Sequence, residues 1–152
     1  MSWRPSRQAE QGSAVVEFVT LGVLILLPLV YLVLTLGRLQ AGAFAVDGAA
    51  REAARTFIAA PDDATARARA VAAVRLGLKD EGFDADPATA LTITCSATPC
   101  LTPKGRVAVQ VAVDVVLPGI PGFVDRLAST HVTVRSEQVD VVDAFGPAAV
   151  AP

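Results

Sequence analysis

Between Ser13 and Leu36 the chain runs 24 residues with a single charge, Glu17. A helix of that stretch, rising about 1.5 Å per residue, is roughly 36 Å long and crosses a hydrocarbon core of about 30 Å. Its centre, Val23 to Leu34, shows no polar face. A buried helix in a soluble domain is the competing reading, but the rest of the chain offers no comparably apolar surface to cover it. Composition agrees: 53% of the 152 residues are hydrophobic and 18% charged, with mean hydropathy +0.50. Those values exclude a disordered chain and are high for an ordinary soluble domain. The run divides the chain into a basic cytoplasmic leader (1–12), a transmembrane helix (13–36), an extracytoplasmic helix-plus-sheet domain (37–143) and a disordered tail (144–152).

Orientation follows from the flanks. Arg4 and Arg7 precede the segment with Glu10 opposing them, and behind it Arg38 stands alone until Arg51, with Asp47 between. The positive-inside rule then places the N-terminus in the cytoplasm and the C-terminal domain outside. Cys95 and Cys100 are spaced C-x4-C without a histidine cluster, which suits a disulfide across a short hairpin in an oxidising compartment. Two free thiols in a cytosolic domain are the alternative. A secretory signal peptide is a second competitor, because Ala41-Gly42-Ala43 and Ala43-Phe44-Ala45 resemble cleavage boxes. Against it, the apolar run exceeds the roughly 7–15 residues of a usual h-region, and Glu17 interrupts it.

Glu17 is the residue that most needs an explanation. An ionised group at the middle of a membrane helix costs about 2.5–3.5 kcal/mol, and less near the ends. A carboxylate snorkelling to the cytoplasmic interface would lessen the cost. Alternatively the carboxylate awaits a positive partner. Gly12 precedes Ser13, and Glu17 is the fifth residue after Gly12. A cut after Gly12 would create an ammonium group at Ser13, and that of a neighbouring copy could neutralise Glu17 in the bilayer or an assembly.

The stretch Gly12-Ser13-Ala14-Val15-Val16-Glu17-Phe18 resembles a prepilin processing site. Gly37-Arg38, followed by Ala49-Ala50-Arg51-Glu52-Ala53-Ala54-Arg55, resembles the region after the membrane helix in TadE-like proteins, pseudopilins of the tight-adherence (Tad/Flp) pilus system. Pro28-Leu29-Val30-Tyr31 and Gln40-Ala41-Gly42-Ala43-Phe44-Ala45 look like the version found in high-GC Gram-positive bacteria. The likeness runs from Gly12 to Arg55, and Pro28 departs from it by lying further from Glu17 than in the family's commonest form. The resemblance implies cleavage between Gly12 and Ser13 by an aspartic prepilin peptidase, with Glu17 and Phe18 serving assembly and pairing with the new N-terminus. It also implies a minor, non-enzymatic pilus component. Its partners would be the membrane, the peptidase, other pilins and pseudopilins, and the assembly platform, with incorporation into a surface pilus as one outcome.

Beyond the membrane segment the pattern reads as α+β and pilin-like. Arg38 to Ala60 is alanine-rich and lacks proline, so it continues the membrane helix, with Gly37, Gly42 and Gly48 as places to bend or pack closely. Pro61-Asp62-Asp63 stops it and caps a second helix from about Ala64 to Lys79. Ala64, Ala68, Val71, Val74 and Leu78 would form that helix's apolar face, and Arg67, Arg69, Arg75 and Lys79 a basic, solvated side. The period then falls to two. Leu91 and Ile93 mark a short strand ending at Cys95. Val107, Val109, Val111, Val113 and Val115 mark a long one, and His131 to Val142 a third with Val132 and Val134 inward. About three antiparallel strands result, and such a small sheet needs helices laid on its apolar face.

Thirteen Lys and Arg against fifteen Asp and Glu give a net charge of −2, which speaks against nucleic acid as a partner. His131, the one histidine, reads as a surface strand residue. Nucleophile elbows, P-loop glycines, C-x-x-C and H-E-x-x-H are all missing. Asp62-Asp63 and Asp80-Glu81 fall at expected helix ends and lack further metal ligands. The expectation is therefore no catalytic residue, metal, cofactor or small-molecule substrate. The alternative to a pilus component is a signal-anchored extracytoplasmic binding module with no pilus role.

Overall fold

One helix supplies both the membrane-length segment and the wall against which the rest of the chain folds. The structure is a computed structural model that describes residues 8–117 and 131–146, with side chains from Ala14 onward. Helix α1 spans Gln8–Ile58, with Pro28 inside it. Pro28 removes one backbone donor from the ladder, a loss a membrane helix tolerates. From Ala14 to Arg38 every residue is exposed except half-buried Thr35. Packing begins at Leu39. From there Gly42, Ala45, Val46, Ala49, Ala50, Ala53, Ala54 and Phe57 turn inward in alternating steps of three and one. That stripe is wide enough to meet two partners, and alanine lets both come close.

The first partner is α2, Asp63–Asp80. Its N-cap is Asp62, whose carboxylate accepts the Thr65 N–H at 2.9 Å. The expected start is correct to one residue, and the expected face is correct at Val74 and Leu78 but not at Ala64 and Ala68. Ala66, Ala70, Val74 and Leu78 are buried, Val71 is half-buried, and Ala64 and Ala68 are exposed. Alanine recurs on every side of this helix, so periodicity alone does not choose among its faces, and the approach of α1 does. At Gly77 a Cβ would stand 3.2 Å from the Ala49 side chain, so glycine is what lets the helices close here. The helix ends in a Schellman motif: Phe83 N–H donates to Leu78 O at 2.9 Å and Gly82 N–H to Lys79 O at 3.0 Å, with Gly82 at φ 75°. This turn throws Phe83 back onto α1. A one-turn helix that the pattern did not announce, α3 (Pro87–Ala90), is capped by Asp86 and leads into the sheet.

The second partner is a three-stranded antiparallel sheet in the order β1-β2-β3, formed by Leu91–Cys95, Arg106–Val116 and His131–Val141. The architecture is α+β, as the alternation of periods implies. Val107, Val109, Val111, Val113 and Val115 of the central strand are all buried against the helices. Their register pairs Val109 with Ile93 on one side and Gln138 on the other. The edge strand β3 corrects one expectation: Val134 packs inward, but Val132 is 42% exposed, since although it pairs with buried Val115 it lies at the start of a strand that has no further strand beside it among the described residues. Thr133 and Arg135 face out as expected, and His131 is exposed at the strand's start.

Cys95 and Cys100 form a disulfide with Cα atoms 5.3 Å apart. It closes a loop within the β1–β2 connection and does not join the two strands. Asp63, at the start of α2, holds that loop by accepting the Cys100 and Leu101 N–H groups at 3.0 and 3.2 Å. The last six residues of the expected tail lie outside the described residues.

Candidate functional site

The sequence places its candidate site at the start of α1. The backbone there is already helical at Gly12 and Ser13, so the expected cut falls within the helix range, and Glu17 and Phe18 follow one turn later. Both side chains are exposed; Phe18 is 77% so. Glu17 has no ion-pair partner among the described residues. Two hydroxyls of the apolar stretch are satisfied by the helix itself, that of Thr20 donating to Val16 O at 2.7 Å and that of Thr35 to Tyr31 O at 2.8 Å. An 18-residue window of this helix reaches a mean hydropathy of 2.6 with none of it buried. A chain with such a rod standing bare is anchored in a membrane by it, as a single pass.

The boundary between bare rod and packed wall is built from three side chains and a glycine. The Arg38 guanidinium lies over the Phe83 ring, 5.1 Å from its centroid. One turn on, a Cβ at Gly42 would lie 2.5 Å from Val115 Cγ2 and 3.5 Å from Phe83 Cζ. The strand end and the α2 turn therefore both touch the helix backbone at this level. Gly37 and Gly48 have nothing within 4 Å of an added Cβ, so of the three glycines named by sequence only Gly42 serves close packing inside this chain. Higher up, Asp47 ties α1 to β3: it pairs with Arg51 at 2.9 Å and accepts the Ser136 hydroxyl at 3.3 Å.

Two concavities mark the outer wall, and sequence reading missed both. A groove of about 410 Å³ runs between α1 and α2 over Gly48, Ala49, Ala72, Ala73, Leu76 and Gly77. A neighbouring cavity of about 490 Å³ sits at the far end, where Arg55, Arg69 and Asp143 meet. Phe44, a lone aromatic between alanines, lines neither concavity and is 72% exposed on α1. Nothing in these concavities gathers three potential metal-ligating side chains among the described residues.

Residues 12–55 match the model of a family described as TadE-like protein. The match starts at the glycine of the candidate cleavage site and ends at Arg55, so it takes in the whole bare rod and the first four turns of the packed wall. No curated protein and no solved structure matches the chain.

Proposed function

We propose, from the premise that residues 12–55 make this a TadE-like protein of the tight-adherence pilus system, that the chain is a minor pseudopilin supporting assembly of that pilus. A prepilin peptidase cuts between Gly12 and Ser13, and the new Ser13 ammonium of one chain neutralises Glu17 of another within the assembly. The leader stays in the cytoplasm and the domain of α2 and the sheet lies outside. The protein catalyses nothing; it is the peptidase's substrate and a component contacting other pilins and the assembly platform.

The observation that carries this reading is the coincidence of the family match with an exposed carboxylate at the fifth position after its first residue. The course of α1 supports it over a signal peptide. A cut near Phe44 or Val46 would remove Leu39 and Gly42, which pack against the head, whereas a cut after Gly12 leaves every packed residue among those described in place. Mass spectrometry of the protein from its own host's membranes tests the proposal. The expected mature N-terminus is Ser13, and Gly12→Ala should leave the chain uncut and the cells without pili. Normal processing and normal pili in Gly12→Ala cells would refute it, and a start near Phe44 would establish a secreted domain instead.

A further inference from the structure

Gly146, the last described residue, lines the cavity where Arg55, Arg69 and Asp143 meet. The chain is held firmly just before it. Val142 is buried and its N–H donates to Gly105 O at 2.8 Å, and the Asp143 carboxylate accepts the Phe145 N–H at 2.9 Å. This cavity adjoins the α1–α2 groove, with which it shares Glu52, Thr56 and Arg69. Gly48, Ala49, Ala72, Ala73 and Gly77 line the groove, so its walls carry the smallest side chains available and leave room for an extended backbone. The lining is mostly apolar, and Leu76 at its edge is 61% exposed.

We infer that residues 147–152 of the same chain lie along this groove, running from Gly146 toward Gly48 and Gly77. The inference goes beyond the assembly reading and does not depend on it. The segment reads Pro147-Ala148-Ala149-Val150-Ala151-Pro152, with no charge and no side chain larger than valine or proline. Its composition therefore matches a narrow apolar trough. Its reach matches as well. Proline favours an extended chain of about 3.1 Å per residue, which sets Val150 about 12 Å beyond Gly146. From Thr56 back to Gly48 the eight residues of α1 rise the same about 12 Å. Val150 thus comes to the level of Gly77, and the apolar side chains there leave water. A covered backbone also needs hydrogen-bond partners. Glu52 and Asp80 in the groove lining can accept its N–H groups, and Arg69 can donate to its carbonyls. Neither acid has an ion-pair partner among the described residues. A tether this short supplies an effective concentration in roughly the millimolar range, so a weak contact suffices and an outside partner must compete with it. The seam between α1 and α2 is then strapped by the chain itself, and another protein reaches it only by displacing the strap.

Carbene footprinting of Leu76 in full chains held in lipid nanodiscs, with and without residues 147–152, tests this. Labelling of Leu76 is expected to rise when the segment is deleted, while hydrogen exchange of the β2 amides stays unchanged and shows the head intact. Val150→Asp, which sets a charge against the apolar wall, should raise the labelling in the same way. A photo-reactive benzophenone amino acid in place of the exposed Leu76 locates the occupant. Illumination should join it to a peptide from residues 147–152 without increasing the mass of the chain. Equal labelling of Leu76 in the full and shortened chains would overturn the proposal, and so would a cross-link that joins two chains or reaches only lipid. The readout is the same for a chain cut after Gly12 and an uncut one, so its failure leaves the assembly reading standing, and an uncut chain that gives the cross-link sinks the processing step alone.

Discussion

Replacing Gly42 by alanine adds a methyl group where Val115 already stands. An ideal Cβ would lie 2.5 Å from Val115 Cγ2, against about 3.5–4.0 Å for carbon atoms in contact. Something must move by about 1 Å. Val115 is fully buried in the central strand, and its branched Cβ makes it stiff at χ1, so rotation offers no cheap escape. Overpacking of this kind costs about 1–3 kcal/mol. The same substitution gains about 1 kcal/mol of helix propensity. Gly48→Ala separates the two effects, because it makes the identical change in the same helix with nothing within 4 Å. Gly48→Ala should therefore stabilise the head by up to about 1 kcal/mol, and Gly42→Ala should fall below it by about 1–3 kcal/mol. Hydrogen exchange of the β2 amides, followed in full chains held in lipid nanodiscs, reads this as a ratio of about tenfold per 1.4 kcal/mol. If the two variants exchange alike, the boundary at Gly42 is not the close contact described and the head is not pinned to the helix there.

Removing the fully buried Phe57 ring by Phe57→Ala should cost about 3–5 kcal/mol, seen as a lowered thermal midpoint of the head. Asp63→Ala strips the acceptor from the Cys100 and Leu101 N–H groups and should cost about 2 kcal/mol, allowing for partial solvent exposure. Faster exchange across residues 100–101 checks it. Opening the Cys95–Cys100 disulfide by Cys95→Ser/Cys100→Ser should cost about 2 kcal/mol on chain-entropy grounds, and the wild-type chain should take up no alkylating agent without reductant. The Thr65 N–H first, and then its hydroxyl, hold the Asp62 carboxyl below the ordinary carboxylate range. A depressed folded value means that the cap's contribution is present above the unfolded pKa and lost as pH falls through the folded one. Exchange at the first turn of α2 should quicken over that acid window, and Asp62→Asn, which keeps the cap, should flatten the response.

The valine alternation from Val107 to Val115 was legible as a strand, since a period of two can bury only one face and the structure buries that one. The apolar run from Ser13 was equally plain, because nothing else in the chain could cover it. What sequence could not supply were choices made by contact. The face of α2 depended on which alanines met α1, and all alanines look alike in a periodicity. Gly42 differed from Gly37 and Gly48 only through Phe83 and Val115, the second more than seventy residues away. Val132 has the right parity for burial, beside buried Val115, and is exposed on the edge strand. The candidate site divides in the same way. Gly12 and Glu17 are readable as spacing because their chemistry is local, while the α1–α2 groove needs two helices to exist at all.

The unbroken course of α1 has a mechanical consequence. Ile58 lies thirty residues beyond Pro28, a lever arm of about 45 Å. A bend of about 10° introduced at Pro28 would sweep the far end through about 8 Å. With strand, turn and second helix all clamped to α1 above Gly42, the domain packed on it would swing with that arm. A small push on the helix inside the membrane would thus be delivered, enlarged, at the distal end of the molecule.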